Sequence, residues 1–389
     1  MNSYHMDNTI KPSLLILYDY FYPAYKAGGP VQSLGNLIIS IQNDYKIYVV
    51  TRSFDLNEEQ PLKNIVADQW AEVKLPGAEN SIMVWYAGKG QPDKRCFKNI
   101  IEEIDPSVIY LNGIFSYRFV MLPLLYTKNK PIVICPRGML QAGAIAGKSL
   151  KKKLYLQVLK MSGLLNNVSW HATNKEEAGD IEKIFGNESK IVVAGNFPKK
   201  PVADISYPAK KAGELRLVYL SLISSKKNLL QTIEILGRLK GDVSLDIYGP
   251  VKDKSYWRKC LQAIRYSRAT VRYKGDVRPE QVQEIFQQYD ASVFFTRGEN
   301  FGHALYESLS SARPVITSFF TPWNNLEEKN AGFNIDILND SNIIYTINRI
   351  VDMNRDVFKE YCDGAYKLAT EYYAGLSAAA YKQMFTTIH

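Results

Sequence analysis

Short apolar runs recur along the chain at intervals that suit strands separated by helices. Residues 14–18, 45–51, 81–86, 108–111, 132–135 and 168–172 read as strands, with helical spacing between most of them and a further strand near 190–193. A second series opens at 215, with runs at 215–220, 243–248, 270–273 and 291–295 that each lead into a polar turn. Helical patterns at 339–353, 356–372 and 376–385 complete the chain. This alternation implies two parallel sheets covered by helices, whose ligands sit at the carboxyl ends of the strands. The loops that follow strands are therefore where chemistry is to be sought.

Between the two series, residues 196–213 read NFPKKPVADISYPAKKAG, a Pro- and Lys-rich stretch with the look of an exposed linker. The length of 389 residues is about two domains' worth on a prior of roughly 100–200 residues each. The expected division is 1–200, 201–372 and a terminal helix at 373–389.

Composition narrows the classes. With 46% apolar and 22% charged residues, the chain is an ordinary globular protein. Its four cysteines, at 96, 135, 260 and 362, are scattered and lack metal-ligand spacing, which suits a reducing compartment and buried thiols. The polar residues 1–12 show no signal-peptide pattern, and the apolar stretch 108–126 is interrupted by Asn112, Gly113, Ser116 and Arg118, so a buried strand and helix fit it better than a membrane span. A cytoplasmic protein is expected.

The net charge of +9 favours anionic partners without choosing among phosphates, anionic lipid and nucleic acid. Between 141 and 165 five lysines (148, 151, 152, 153 and 160) interleave with aliphatic residues and no acidic one. Such a helix can lie on an anionic membrane surface or turn its apolar stripe to the core. No nucleic-acid module is recognisable, and neither half has the Gly-x-Gly-x-x-Gly turn of a dinucleotide-binding oxidoreductase.

The most informative stretch is 294–323, FFTRGENFGHALYESLSSARPVITSFFTPW. A buried strand runs into a polar turn, and a helix begins near Phe301 and Gly302 with Ala304, Leu305, Leu309 and Ala312 on one face. Glu299 precedes that helix and Glu307 lies within it. A helix start offers backbone amides and a positive dipole end to a phosphate, and carboxylates nearby can accept hydrogen bonds from sugar hydroxyls. Together these describe a site for a nucleotide sugar.

The spacing from Glu299-Asn300-Phe301-Gly302 to Glu307, followed by Pro314-Val315-Ile316 and Thr321-Pro322-Trp323, resembles the Glu-x7-Glu signature of the retaining glycosyltransferases of family 4. The resemblance implies the GT-B fold, an α/β architecture of two Rossmann-like parallel-sheet domains facing across a cleft. It implies transfer of a glycosyl group from a nucleoside-diphosphate sugar to a glycan or lipid-linked glycan acceptor, as in cell-surface polysaccharide and lipopolysaccharide biosynthesis. The donor is a co-substrate, and no cofactor and no protein-held metal are expected.

Within that resemblance Glu299 holds hydroxyls of the transferred sugar, Glu307 the nucleotide's ribose, and amides from Asn300 to Gly302 the diphosphate. Lys226 and Lys227, in the turn after the 215–220 strand, resemble the family's Arg-x4-Lys element, with Lys227 matching the lysine and Leu222 standing where the arginine belongs. Gly28 and Gly29, after the first strand, resemble the Gly-Gly loop brought over the donor; a glycine pair before a helix is also a common tight turn. Arg137, in Pro136-Arg137-Gly138, is a candidate cation for a phosphate or an acceptor, and a structural salt bridge suits it nearly as well. Ala312 replaces a usual glycine. The loss of an arginine at Leu222 also keeps open a silent sugar-nucleotide-binding subunit of the same fold.

Overall fold

The computed structural model describes residues 11–127, 129–141, 145 and 149–386. Most of the expected polar leader, Lys148 of the basic stretch, and the histidines at 5 and 389 lie outside these residues. The chain forms two compact units, and the division between them falls at Gly195/Asn196, a few residues before the expected 200. The first unit runs to Ala24, resumes over Leu34–Gly195 and includes the chain from Ser377; the second comprises Tyr25–Ser33 and Asn196–Leu376. The segment carrying Gly28 and Gly29 thus groups with the second unit.

The first unit is built on an eight-stranded sheet. In chain order its strands are β1 (Ser13–Leu17), β2 (Lys46–Arg52), β3 (Trp70–Lys74), β4 (Ser81–Ala87), β5 (Val108–Asn112), β6 (Ile132–Cys135), β7 (Val168–Ala172) and β8 (Lys190–Val193). They are arranged β3-β4-β2-β1-β5-β6-β7-β8, all parallel except β3, which runs antiparallel at the edge. Leu14, Leu15, Ile16 and Leu17 of β1 are fully buried because helices cover both sheet faces. Each contributes about 1.5–3 kcal/mol relative to an exposed side chain. The final helix, Ala379–Thr386, sets Tyr381 against His171 and Phe385 against Tyr110 and Tyr45.

The second unit holds a six-stranded, wholly parallel sheet: β9 (Glu214–Leu220), β10 (Asp242–Tyr248), β11 (Thr270–Gly275), β12 (Ala291–Phe294), β13 (Val315–Ser318) and β14 (Gly332–Ile335), ordered β11-β10-β9-β12-β13-β14. Chain direction across the sheet reverses between β9 and β12, which pair at Leu217↔Ala291 and Val218↔Ser292. Such a switch point opens a crevice between the two outgoing loops.

The 196–213 stretch is exposed in part, as expected of a linker, but Asn196, Pro198, Pro208 and Lys210 are buried. The fully buried Arg313 guanidinium donates to the carbonyls of Ser206, Tyr289 and Gln287, each at 2.7 Å, and Lys210 donates to those of Val351 and Met353. Buried cations need such acceptors, so these bonds hold the stretch against the second unit.

Candidate functional site

In the second unit, the loops after β9 and β12 meet at the switch point. The first carries a short turn, Ser225–Lys227, and the second runs from Phe295 to Gly302 before the helix His303–Ser310. The Arg297 amide donates to the Lys226 carbonyl at 2.9 Å, which stitches the loops together. Lys227 Nζ and Glu299 Oε1 form an ion pair across this seam. Burial lowers the Lys226 ammonium, an effect that nearby Glu299 opposes and Lys227 reinforces.

The Glu299 loop is fixed from several sides. Its amide donates to the Phe320 carbonyl at 2.9 Å, the Trp323 indole donates to the Phe301 carbonyl at 2.7 Å, and the Ser318 hydroxyl donates to the Thr296 carbonyl at 2.5 Å. Gly302 then turns the chain into the helix with φ +80°, and a Cβ there would lie 2.7 Å from Leu305 Cδ1. Only glycine suits that position. Ala312, at the far end, also has a positive φ of 55°, a conformation that the glycine implied by the resemblance would hold with less strain.

Glu307 is 3% exposed, and its Oε1 has no hydrogen-bond partner. Lys199 Nζ stands 3.8 Å from that oxygen and donates to the Pro279 carbonyl at 2.6 Å. Burial pushes the Glu307 carboxyl up to about 7, against the pull of Lys199. A buried carboxylate oxygen in this condition is stabilised by any ligand that brings it a hydroxyl donor.

Within the same unit the Gly28–Gly29 segment lies over these loops. Gly28 has φ +78°, and a Cβ on it would lie 3.4 Å from Leu222; a Cβ on Gly29 would lie 3.2 Å from His303 Cδ2. Leu222, where the resemblance calls for arginine, therefore offers an apolar contact to the glycine loop. Ser33 Oγ and His303 Nε2 are hydrogen-bonded at 2.6 Å. Tyr25 donates to Asp276 at 2.7 Å and Lys26 stands 3.6 Å from it, which together hold the Asp276 carboxyl below its ordinary value.

Sequence reasoning missed His303, Lys199 and the Tyr25–Lys26–Asp276 cluster; of these, only His303 had a signal, its place at the first position of the helix. It also passed over Phe319 and Phe320, two exposed aromatic side chains beside Glu299.

Arg137 belongs to the first unit and has a different setting. It is buried with φ +55°, its Nε donates to Asn112 Oδ1 at 2.6 Å and its Nη2 to the Tyr110 hydroxyl at 3.0 Å. Tyr110 is bonded at 2.7 Å to His171 Nδ1, and His171 Nε2 lies 2.8 Å from the Ala194 carbonyl. Since a carbonyl only accepts, Nε2 carries the proton and Nδ1 accepts from Tyr110. Burial and the Arg137 charge hold His171 down at about 3, so the ring stays neutral. Asn112 and Tyr110 are thus among the partners that hold the Arg137 guanidinium in place. Among the described residues, no group of three or more His, Cys, Asp or Glu side chains is arranged to hold a metal, and no helix is long and apolar enough to cross a membrane.

Residues 204–362 match the family described as glycosyl transferases group 1. No curated protein sequence matches the chain. Among solved structures, HepE of Anabaena, crystallised with UDP and glucose, is 13% identical, with 97% of this chain and 99% of that chain covered and a TM-score of 0.71. Sucrose-phosphate synthase of Thermosynechococcus elongatus is 14% identical, with 97% and 100% covered and a TM-score of 0.69. WaaG, a glycosyltransferase involved in lipopolysaccharide biosynthesis, is 13% identical, with 96% and 99% covered and a TM-score of 0.65. At these identities the likeness shows the fold, GT-B with two parallel-sheet α/β units.

Proposed function

We propose that the chain is a retaining glycosyltransferase of family 4 that moves a hexosyl group from a nucleoside-diphosphate sugar to a glycan or lipid-linked glycan in cell-surface polysaccharide or lipopolysaccharide biosynthesis. The observation that carries this reading is the pairing of Lys227 with Glu299 at the switch point, inside the stretch matched to group 1 glycosyl transferases. Lys227 takes the diphosphate with help from Lys226 and the helix start at Gly302, neutralising the charge that grows as the leaving group departs. Glu299 then exchanges its lysine for hydroxyls of the transferred sugar, and Glu307 accepts the ribose hydroxyls.

Gly28 and Gly29 let the backbone approach the donor. No carboxylate is assigned as a nucleophile; the acceptor attacks on the face from which the diphosphate leaves, and no protein-held metal takes part. Arg137 acts as a positioning residue that ties the ends of β5 and β6 through Asn112 and Tyr110.

The test is a transfer assay with a panel of UDP-, GDP-, ADP- and TDP-sugars, read by the anomeric configuration of the product. A product with the donor's configuration supports the reading; an inverted one overturns retention. The apolar Leu222 favours a second reading, a silent donor-binding subunit, which predicts nucleotide-sugar binding without any transfer.

A further inference from the structure

The helix Ser149–Met161 carries four of the five lysines of the basic stretch. It has two apolar faces. Leu156 and Leu159 are buried in the first unit's core, with Tyr155 donating to the Ile114 carbonyl at 2.8 Å. Leu150, Leu154, Val158 and Met161 are instead 82%, 61%, 57% and 84% exposed. At about 100° per residue these four fall within an arc of roughly 80°, so they form one continuous stripe on the solvent side.

The lysines are sorted about that stripe. On the same wheel Lys151 borders it on one side, and Lys153 and Lys160 on the other, beyond Gln157. Lys151 and Lys153 are exposed. Lys152 turns inward, its ammonium 5.1 Å from the Phe115 ring, and Lys160 donates to the Ile184 carbonyl at 2.9 Å, so both tether the helix to the fold. Four exposed aliphatic side chains on one stripe exceed the scattered exposure normal for a soluble surface.

We propose that this stripe is a membrane-docking face: the helix lies in the plane of an anionic lipid surface, its four aliphatic side chains in the acyl boundary and Lys151 and Lys153 on lipid phosphates to either side. Charge complementarity selects this occupant. The residues from 141 to 165 contain no acidic side chain, and a second copy of this helix would bring lysine against lysine. Aliphatic residues between cations suit a bilayer interface, whereas a nucleic-acid surface would interleave aromatic rings for stacking. The inference goes beyond the sugar-transfer reading and does not depend on it.

The test is flotation of the full chain with vesicles of phosphatidylcholine alone or mixed with phosphatidylglycerol, at low and high salt. Binding is expected only to the mixed vesicles and to weaken in high salt as the charges are screened. Leu154→Asp with Val158→Asp should reduce it at least tenfold. Lys151→Gln with Lys153→Gln should reduce it about thirtyfold, on about 1 kcal/mol for each lysine near an anionic surface. All four positions are exposed, and an unchanged circular-dichroism spectrum separates lost docking from lost fold.

Equal binding to both vesicle types, or binding unaffected by either double variant, would overturn the proposal. So would self-association in sedimentation that Leu154→Asp abolishes, because the stripe would then belong to a second copy. Lost sugar transfer with intact vesicle binding would count against the activity alone.

Discussion

Lys199 Nζ stands 3.8 Å from Glu307 Oε1, beside a carboxylate oxygen that has no hydrogen-bond partner. Burial pushes Glu307 up to about 7, so the carboxyl changes its charge near neutrality. If Glu307 holds ribose hydroxyls, the ionised form is the one that binds. Donor affinity should therefore rise between pH 6 and 8 and level off above. Removing the cation, as in Lys199→Met, should move that rise to higher pH. Calorimetric titration with the nucleotide across this range checks it; a pH-independent affinity would remove Glu307 from the donor site.

The same group and His171 give pH effects on stability of opposite sign. The folded Glu307 value is raised from 4.5 to about 7, so the folded state binds the extra proton and the second unit loses stability as pH rises through this window. The difference between those two values corresponds to about 3 kcal/mol. His171 is lowered from 6.5 to about 3, so its contribution is intact above 6.5 and is lost as pH falls toward 3, about 5 kcal/mol at most. Hydrogen exchange followed separately in β7 and in the helix His303–Ser310, corrected for intrinsic rates, should show the two trends. Glu307→Gln should abolish the second unit's trend and leave the first unit's unchanged.

Gly302→Ala should destabilise the second unit by about 2 kcal/mol or more, because the alanine must hold a left-handed conformation. Its methyl would also press on Leu305, which a Cβ there meets at 2.7 Å. Urea unfolding measures the loss. A change below about 0.5 kcal/mol would mean that the turn is not as tight as described.

Arg137→Met should destabilise the first unit by about 3 kcal/mol, since Asn112 Oδ1 would lose its buried donor and Tyr110 one of its partners. A conservative Arg137→Lys keeps the charge but not the forked geometry, and should recover only part of that loss. If both variants unfold like the wild type while sugar transfer collapses, Arg137 is catalytic instead.

The strand framework was legible because buried parallel strands are short apolar runs ended by turns, as in 132–135 and 168–172. β3 and β14 escaped notice. β3 is a half-buried edge strand, Trp-Ala-Glu-Val-Lys, and β14 begins at Gly332, whose φ of 143° and absent side chain allow the Val315 backbone to approach. Glu299, Glu307 and Lys227 were nominated by the resemblance to the family 4 pattern, and the fold brings Lys227 and Glu299 into an ion pair. The Ser33–His303 bond joins residues 270 positions apart, and neither it nor the Lys199–Glu307 pair leaves any periodic trace, because the fold alone brings them together. The expectation for 196–213 held only in part for a related reason: its lysines and prolines suggested exposure, but Lys210 is buried and Arg313 donates to the Ser206 carbonyl from a distant position in the chain.

The central claim is that Lys227 and Glu299 form the heart of a nucleotide-sugar site, and calorimetric titration of the panel of nucleotide sugars into wild type and Lys227→Ala tests it most directly. One nucleotide sugar should bind the wild type, and its affinity should fall by roughly tenfold to a hundredfold in the variant, as expected for a charge-assisted contact of about 1.5–3 kcal/mol. Binding of equal strength to both proteins, or to neither, would contradict it.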